Sequence, residues 1–294
     1  MKFSPECREC LLTKIASEVS AYIHDKEKSD ALIASCAAIY DEGKAANEGA
    51  AIVSGRMHDF ACKTAQVDDL FRDIKDHDNR RAADVVAKLA PDLKTLHDAM
   101  TAAILGNAID YGVTGHTVSD DLASMIAAGL SQPLAVDDLD AMLKIAGRIV
   151  YFTDNCGEVV FDMEFIKQLK QRGSHVTVVV KGGPMLNDVT MREANLCGLD
   201  IVADALYTGS SESLLGTHPP YFPPEVAEAV SNATLIIAKG LANYESLTEY
   251  QMDVPVAYLM MVKCVAVGRH ITETCGCKVQ KGDMVALLNT EHTC

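Results

Sequence analysis

The sequence contains no tryptophan, and aromatic residues make up only 5% of its 294 positions. The core is therefore expected to consist mainly of aliphatic side chains. No run of about 18 apolar residues occurs, so no segment is predicted to span a membrane. The first residues, MKFSPECREC, also lack the apolar stretch and small-residue cleavage site of a secretory signal. Together these absences predict a cytoplasmic protein.

Positive charge is scarce as well, since 26 Lys and Arg residues face 41 Asp and Glu residues, for a formal net charge of −15. A chain this acidic is not expected to bind nucleic acid or an anionic membrane nonspecifically, because both are negatively charged. An anionic substrate would need local positive charge from a metal ion, lysines or helix N-termini. The ten cysteines, without a secretory signal, favour reduced thiols or metal ligands over disulfides.

Three catalytic signatures are missing. The absence of G-x-x-x-x-G-K-[ST] argues against a P-loop NTPase, and the absence of G-x-G-x-x-G after the first strand argues against dinucleotide binding. The G-x-S-x-G elbow of α/β-hydrolases does not occur either. Cys156 follows a predicted strand, but no Arg or Ser/His pairing accompanies it. We therefore interpret Cys156 as a small packing residue and not as a nucleophile.

The chain changes character near Gly147. Before it, apolar residues recur at helical spacing without a β-rich run, which predicts an all-helical subdomain over residues 1–146. After it, helix-like stretches alternate with four apolar runs rich in β-branched residues, which we predict as strands at 148–153, 175–180, 234–238 and 256–262. Such alternation indicates βαβ units. The sequence therefore predicts an α/β fold with a Rossmann-like, mainly parallel sheet over residues 147–294.

Polar residues follow two of these strands, where open parallel sheets bind their ligands. The first strand leads into Asp154-Asn155-Cys-Gly-Glu158, and the second leads into a segment that ends at Asp188. Carboxylate and amide oxygens are ligands that Mg²⁺ or Mn²⁺ prefers. Each residue alone could instead cap a helix. Two neighbouring strand ends of this kind favour a shared metal site.

Carboxylates and lysines complete this predicted rim. Glu158 and Asp162 are four residues apart and share one helix face, where they repel each other unless a cation or water separates them. Lys181, Lys239 and Lys263 each follow a predicted strand. We expect these lysines to meet an anion, because an ammonium directly after a buried strand is otherwise unfavourable. Acids that hold a metal beside lysines that hold a phosphate are typical of phosphoryl-transfer sites.

Taken together, the segments resemble the DUF89 family, also called the damage-control phosphatase or ARMT1-like family, and in particular its archaeal and anaerobe-type branch. The motifs that carry the resemblance are Cys7-x-x-Cys10, Gly106-Asn107-Ala-Ile-Asp110, Asp154-Asn155-Cys-Gly-Glu158 with Asp162, Lys181-Gly-Gly-Pro-Met-Leu-Asn187-Asp188-Val-Thr190, Lys239-Gly-x-x-Asn243-Tyr244-Glu245 and Lys263-Cys264. One segment departs from the family pattern. Where relatives often have Asp-Pro-Tyr ahead of a lysine, this chain has Asp69-Leu-Phe-Arg-Asp-Ile-Lys75.

The resemblance implies a helical subdomain on a Rossmann-like sheet, with phosphatase activity toward small phosphorylated metabolites. It implies a divalent metal, such as Mg, Mn, Co or Ni, held by Asp154, Asn155 and Asp188. Glu158 would orient water, and Lys263 would contact the phosphate. The other positions expected to bind substrate or phosphate are Lys181, Lys239, Asn243, Glu245, Asn107 and Asp110.

Two questions about the reaction stay open at this point. Water is the expected nucleophile, with Asp154 or Glu158 as its base, but direct attack by Asp154 is the alternative. A carboxyl methyltransferase that uses S-adenosylmethionine is a second candidate enzyme. The acidic loop after the first strand argues against it, because that loop lacks a glycine-rich turn.

Cysteine pairs near both ends suggest a further metal site. Cys7-x-x-Cys10 and Cys275-x-Cys277 would together provide four thiolates for zinc or an iron–sulfur cluster if the two ends meet. Core packing is the simpler explanation for such a pair within a helix. If the site exists, a metal- or cluster-binding sensor becomes the non-enzymatic candidate function.

Overall fold

Seven strands and thirteen α-helices occur in the computed structural model, which describes residues 1–107 and 122–290. The helices are α1 (Cys7–Val19), α2 (Lys26–Ala45), α3 (Ala50–Ala65), α4 (Arg72–Leu89), α5 (Leu96–Gly106), α6 (Leu122–Gly129), α7 (Leu139–Ile145), α8 (Glu158–Gln171), α9 (Met191–Cys197), α10 (Leu199–Val202), α11 (Pro224–Ser231), α12 (Gly240–Leu247) and α13 (Val265–Cys275). The strands are β1 (Val136–Asp137), β2 (Arg148–Phe152), β3 (His175–Val180), β4 (Ala205–Thr208), β5 (Leu235–Lys239), β6 (Val256–Met261) and β7 (Met284–Asn289). Within these described ranges, no helix has the length and apolar character that crossing a membrane requires.

All seven strands belong to one sheet, in the order β1-β7-β6-β5-β2-β3-β4. Neighbouring strands are parallel except β6 and β7, which are antiparallel. From β2 the chain builds outward through β3 to β4, and it then returns to the other side of β2 as β5. The strand order therefore reverses between β2 and β5. Open α/β sheets bind ligands in the crevice at such a reversal.

Both faces of the sheet are covered by helices, and β2 shows how. Successive side chains on a strand point to opposite faces. Ile149 and Tyr151 pack in one core with Phe165 of α8. Val150 and Phe152 pack in the other core, together with residues of α12 and α13. This two-sided burial explains why the central strands are almost continuously apolar.

The first three helices enclose a smaller core of their own, which contains Ile15, Leu32 and Met57. A further apolar cluster joins this helical part to the sheet, because Ala51 of α3 packs there with Leu186 from the loop after β3. The helical part therefore lies directly against a loop at the carboxyl end of the sheet.

The predicted α/β architecture is confirmed, and the four predicted strands coincide with β2, β3, β5 and β6 to within one residue at each end. The prediction misses β1, β4 and β7. It was wrong that no strand precedes residue 147, because the two residues of β1 pair with β7. The predicted domain boundary between residues 146 and 147 stays a prediction.

The core position of α8 can be tested through Phe165, which is fully buried and lies 6.5 Å from the ring of Tyr151 between ring centroids. Phe165→Ala should lower the free energy of unfolding by about 3–5 kcal/mol, since removal of the ring leaves a cavity. Urea unfolding followed by circular dichroism measures the change. Leu196→Ala on α9 is the control, because Leu196 is 67% exposed and its loss should change stability by less than about 0.5 kcal/mol. Equal losses in the two variants would contradict the assignment of α8 to the core.

Candidate metal and phosphate site

Two loops at the carboxyl ends of β2 and β3 are joined by backbone pairing. The N–H of Val189 donates to the carbonyl oxygen of Asp154 at 2.9 Å. Asn155 and Asp188 form an isolated antiparallel bridge between the same two loops. The structure therefore brings together Asp154, Asn155 and Asp188, the three residues predicted as metal ligands.

Both carboxylates of this group are buried, Asp154 being 6% exposed and Asp188 2% exposed. Burial and the negative charges of Asp188 and Glu158 raise the pKa of Asp154 well above its ordinary value. Burial also raises the pKa of Asp188, although the ammonium of Lys181 opposes this rise. Each of these two adjacent carboxylates is therefore unfavourable in its charged form. A divalent cation bound between them would stabilise both negative charges.

The hydrogen bonds of these residues also fit a cation. Asp188 Oδ2 is buried without a hydrogen bond to any described residue, and Lys181 Nζ lies 3.5 Å away. Asn155 directs Nδ2 to Asp154 Oδ2 at 3.2 Å and to Glu158 Oε2 at 3.4 Å, which leaves its Oδ1 for a cation. The resulting set of carboxylate and amide oxygens suits a hard divalent ion.

A fully buried ion cluster lies behind the two loops. Lys239 donates to the carboxylate of Glu158, to Asp162 Oδ1 at 2.7 Å and to the carbonyl oxygen of Ala103 at 3.0 Å. The hydroxyl of Tyr151 donates to Asp162 Oδ1 at 2.8 Å. Lys239 is thus the cation that separates the two acids on α8, Glu158 and Asp162.

Two residues expected to bind substrate have other partners. The three N–H donors of an ammonium are all used by the partners of Lys239, so none is left for a phosphate. Asn243 donates to the carbonyl oxygens of Thr153 and Lys239 at 3.0 and 2.7 Å. Its Oδ1 accepts from Lys181 at 3.1 Å and from Thr217 at 2.8 Å. Asn243 therefore connects the loops around the site, and its expected contact with substrate stays a prediction.

Asn107 bridges the metal site and the ion cluster. Its Nδ2 donates to Asp154 Oδ2 at 2.9 Å and to Glu158 Oε2 at 2.6 Å. Its Oδ1 is buried and has no hydrogen-bond partner in the described part of the chain. Asp110, predicted from the same motif, lies outside the described residues.

The remaining candidates differ in their exposure. Lys181 is 6% exposed and donates to the carbonyl oxygen of Gly216 at 2.9 Å. Lys263 follows β6 and is half-buried, and its charge opposes the rise in the pKa of Asp154. Glu245 is half-buried, and burial raises its pKa to about 7.

Sequence reasoning missed a second buried ion pair, between Lys75 Nζ and Asp69 Oδ2 at 3.0 Å. Asp69 also accepts from the backbone N–H of Phe71 at 2.9 Å, and the charge of Lys75 opposes the rise in the pKa of Asp188. These residues come from the segment that departs from the Asp-Pro-Tyr pattern. Asp69 and Lys75 therefore form an acid–lysine pair although the Pro-Tyr of the family pattern is absent. The only sign of this pair in the sequence is the motif that contains both residues.

Gly240 is another residue that the sequence analysis did not single out as functional. Its φ is +74°, and a Cβ atom there would lie 1.8 Å from Asp154 Oδ2. Only glycine combines this backbone conformation with so close an approach to the carboxylate. The start of α12 thus limits the positions that Asp154 can adopt.

The terminal cysteines do not form the predicted four-thiolate site. Burial and the nearby thiol of Cys264 raise the pKa of Cys10, whereas the N–H of Cys277 donates to Cys275 Sγ at 3.4 Å. Cys264 and Cys275 stand at opposite ends of α13, an eleven-residue helix that spans about 16 Å. Within residues 1–107 and 122–290, no three His, Cys, Asp or Glu residues are grouped as metal ligands.

Comparison with known proteins gives a match to the damage-control phosphatase ARMT1-like domain over residues 3–279. The chain is 32% identical to a damage-control phosphatase from Archaeoglobus fulgidus over 293 residues, which cover 97% of this chain and 99% of the relative. It is 33% identical to a damage-control phosphatase from Pyrococcus horikoshii over 215 residues, which cover 71% of this chain and 70% of the relative.

A solved structure also resembles this fold. The crystal structure of a DUF89 family protein from Pyrococcus horikoshii matches with a TM-score of 0.88 at 27% sequence identity. The match covers 99% of this chain and 100% of the other. The similarity therefore extends over both the helical part and the sheet.

The ion cluster predicts a pH dependence of stability. Burial raises the pKa of Asp162 to about 7, with Lys239 opposing, whereas an unfolded Asp titrates near 3.9. The folded state therefore binds the extra proton, so this contribution to stability is complete below about pH 4 and is lost as the pH rises to about 7. Asp162→Asn should reduce the fall in unfolding free energy across this range by roughly 1–4 kcal/mol. Urea titrations at a series of pH values in EDTA measure it.

The matched control is Asp41→Asn, because Asp41 is exposed and Arg8 lowers its pKa. Its contribution to stability is lost only as the pH falls below the usual range of an aspartate, outside the interval of the test. The control should therefore keep the slope of the wild type between pH 4 and 7. If Asp162→Asn also keeps that slope, Asp162 does not titrate as the structure indicates.

Proposed function

The chain belongs to the damage-control phosphatase ARMT1-like family, and from this membership we propose that it hydrolyses monoesters of small phosphorylated metabolites with the help of a divalent metal. Phosphatase activity of the damage-control type is the function of the family. One observation carries the finer proposal. Two buried carboxylates, Asp154 and Asp188, lie beside Asn155 at the reversal of strand order.

Asp154, Asn155 and Asp188 are the residues that would hold the ion, whether Mg, Mn, Co or Ni. When bound, such an ion polarises a phosphoryl oxygen and lowers the pKa of a water molecule. Hard oxygen ligands from three residues leave further coordination positions open, as phosphoryl-transfer sites require.

Other residues of the chain have supporting roles in the proposal. Lys263 contacts the phosphate, because it is the half-buried lysine whose charge reaches Asp154. Asn107 and Lys239 act through hydrogen bonds that fix the carboxylates of Asp154 and Glu158. Glu158 accepts hydrogen bonds through both carboxylate oxygens, whereas Asp154 accepts through Oδ2 alone in the described hydrogen bonds. Asp154 is therefore the acid assigned to accept a proton from the attacking water. Hydrogen bonds to a metal ligand from the residues behind it commonly fix its orientation and tune its basicity.

The alternative functions have weaker support. The family match favours a phosphatase over a methyltransferase that uses S-adenosylmethionine. A cysteine-based sensor would need the shared thiolate site, and the described residues do not bring Cys10 and Cys277 into one ligand group.

The test compares substitutions at the proposed ligands with one at the proposed phosphate contact. Asp154→Ala and Asp188→Ala should abolish metal-dependent phosphate release and weaken Mn²⁺ binding, because each removes a carboxylate ligand. Lys263→Ala should lower kcat by about 10²–10³-fold with little change in Mn²⁺ affinity, since it removes positive charge from the phosphate. Phosphate release from a panel of sugar and nucleotide monophosphates, beside Mn²⁺ titrations, gives both quantities.

A stability measurement in EDTA checks that the aspartate variants fold. Each substitution should leave the unfolding free energy unchanged or raise it slightly, because it relieves repulsion between buried carboxylates. Asp41→Ala, at an exposed position, should retain the activity of the wild type. Near-normal turnover of Asp154→Ala and Asp188→Ala would place the reaction elsewhere.

A further inference from the structure

Two side chains of the helical part accept hydrogen bonds from the loops that carry the proposed metal ligands. Asn79 Oδ1 on α4 accepts from the N–H of Gly157 at 2.6 Å, in the loop after β2. His58 Nε2 on α3 accepts from the N–H of Leu186 at 3.3 Å, in the loop after β3. Leu186 stands two residues before Asp188. His58 therefore hydrogen-bonds to the segment that carries the proposed ligand Asp188 but does not contact Asp188 itself.

A buried carboxylate sets the orientation of His58. His58 is 3% exposed, and its Nδ1 lies 2.9 Å from Oε2 of Glu18 on α1, which is 9% exposed. Acceptance of a hydrogen bond from the N–H of Leu186 requires a lone pair on Nε2, which also lies 3.4 Å from Cys62 Sγ. The ring proton is then on Nδ1, where Glu18 accepts it. Glu18 thus favours the tautomer that can accept from the loop.

The charge of the ring is subject to opposing effects. Burial lowers the pKa of His58, whereas hydrogen bonds with Cys62 and Glu18 raise it to about 9. A second proton on Nε2 would replace the acceptor with a donor and break the bond to Leu186. The hydrogen bond from Leu186 therefore forms only with the neutral ring, in which Nε2 carries no proton.

Leu186 has an unusual backbone conformation that requires such support. Its φ is 48°, in the left-handed region, which costs a non-glycine residue on the order of 1–3 kcal/mol. Its side chain is buried in an apolar cluster with Phe71 and Met185. Without an acceptor for its N–H, Leu186 would lower its free energy by adopting a common backbone conformation. Asp188 would then move with it.

We propose that His58, oriented by Glu18, is a positioning residue that fixes the loop of Asp188 in the geometry needed for metal binding. The residue touches neither the proposed ion nor the substrate and acts through the backbone of Leu186. This inference rests on the proposed function, because Asp188 matters here as a metal ligand.

The experiment compares His58→Leu, which removes the acceptor, with His58→Gln, whose side-chain oxygen can accept from Leu186. Hydrogen–deuterium exchange of peptides that cover residues 182–190 is measured without metal, and Mn²⁺ affinity is measured by calorimetric titration. His58→Leu should speed exchange of the Leu186 amide and weaken Mn²⁺ binding, each by about 10-fold, as expected for the loss of one hydrogen bond. His58→Gln should stay within about 3-fold of the wild type on the same scale.

Leu32→Ala is the control for general loosening of the helical part. Leu32 lies in the core of the first three helices with His58's neighbour Met57, away from the loop after β3. The control should lower Tm without changing loop exchange or Mn²⁺ affinity. Unchanged loop exchange in His58→Leu would overturn the proposal, and so would an equal loss of Mn²⁺ affinity in Leu32→Ala, since His58 would then contribute packing alone.

A second pair of variants covers the case in which His58→Leu does not fold. Glu18→Leu leaves Nδ1 without an acceptor and should loosen the loop, whereas Glu18→Gln keeps an acceptor and should not. Equal loop exchange in these two variants would overturn the role of the pair. Absence of Mn²⁺ binding in the wild type would instead contradict the proposed function. The exchange comparison would still decide whether His58 positions the loop, because it needs no metal.

Discussion

Buried negative charge at the carboxyl ends of β2 and β3 is the constraint on which the rest of the structure depends. The charged groups buried there include the carboxylates of Asp154, Glu158, Asp162 and Asp188 and the ammonium groups of Lys181 and Lys239. Burial of a charge is costly unless the charge is paired. Lys239 pairs with both acids on α8, yet burial keeps the pKa values of Asp154, Asp162 and Asp188 raised. The negative charge of Asp154 and Asp188 is thus incompletely compensated, which fits the proposal of a divalent cation.

The central strands could be predicted from sequence because both of their faces are buried. β2, β3, β5 and β6 are runs of apolar, often β-branched residues, which leave few alternatives to a strand. β4 lies at the edge of the sheet, is half-buried and has the sequence Ala-Leu-Tyr-Thr, which contains no such run. β7 is rich in Ala and Leu, which favour a helix as readily. β1 has two residues and is defined only by its partner β7.

The proximity of Asp154, Asn155 and Asp188 could also be predicted, because polar residues after buried parallel strands meet at one edge of the sheet. Their partners could not. Whether Lys239 meets a phosphate or the acids of α8 depends on the face to which it points and on how that helix packs. The contact between His58 and Leu186 joins residues 128 positions apart. A single polar residue on an amphipathic helix gives no sequence signal of such a contact.

Anomalous X-ray diffraction from a crystal of the wild-type protein grown with Mn²⁺ tests the central claim most directly. The account predicts a strong anomalous peak between Asp154 and Asp188, about 2–2.5 Å from side-chain oxygens of both residues and of Asn155. The loops after β2 and β3 should keep the backbone pairing that joins Asn155 to Asp188. A well-occupied manganese ion bound elsewhere, with no peak between these two carboxylates, would contradict the account.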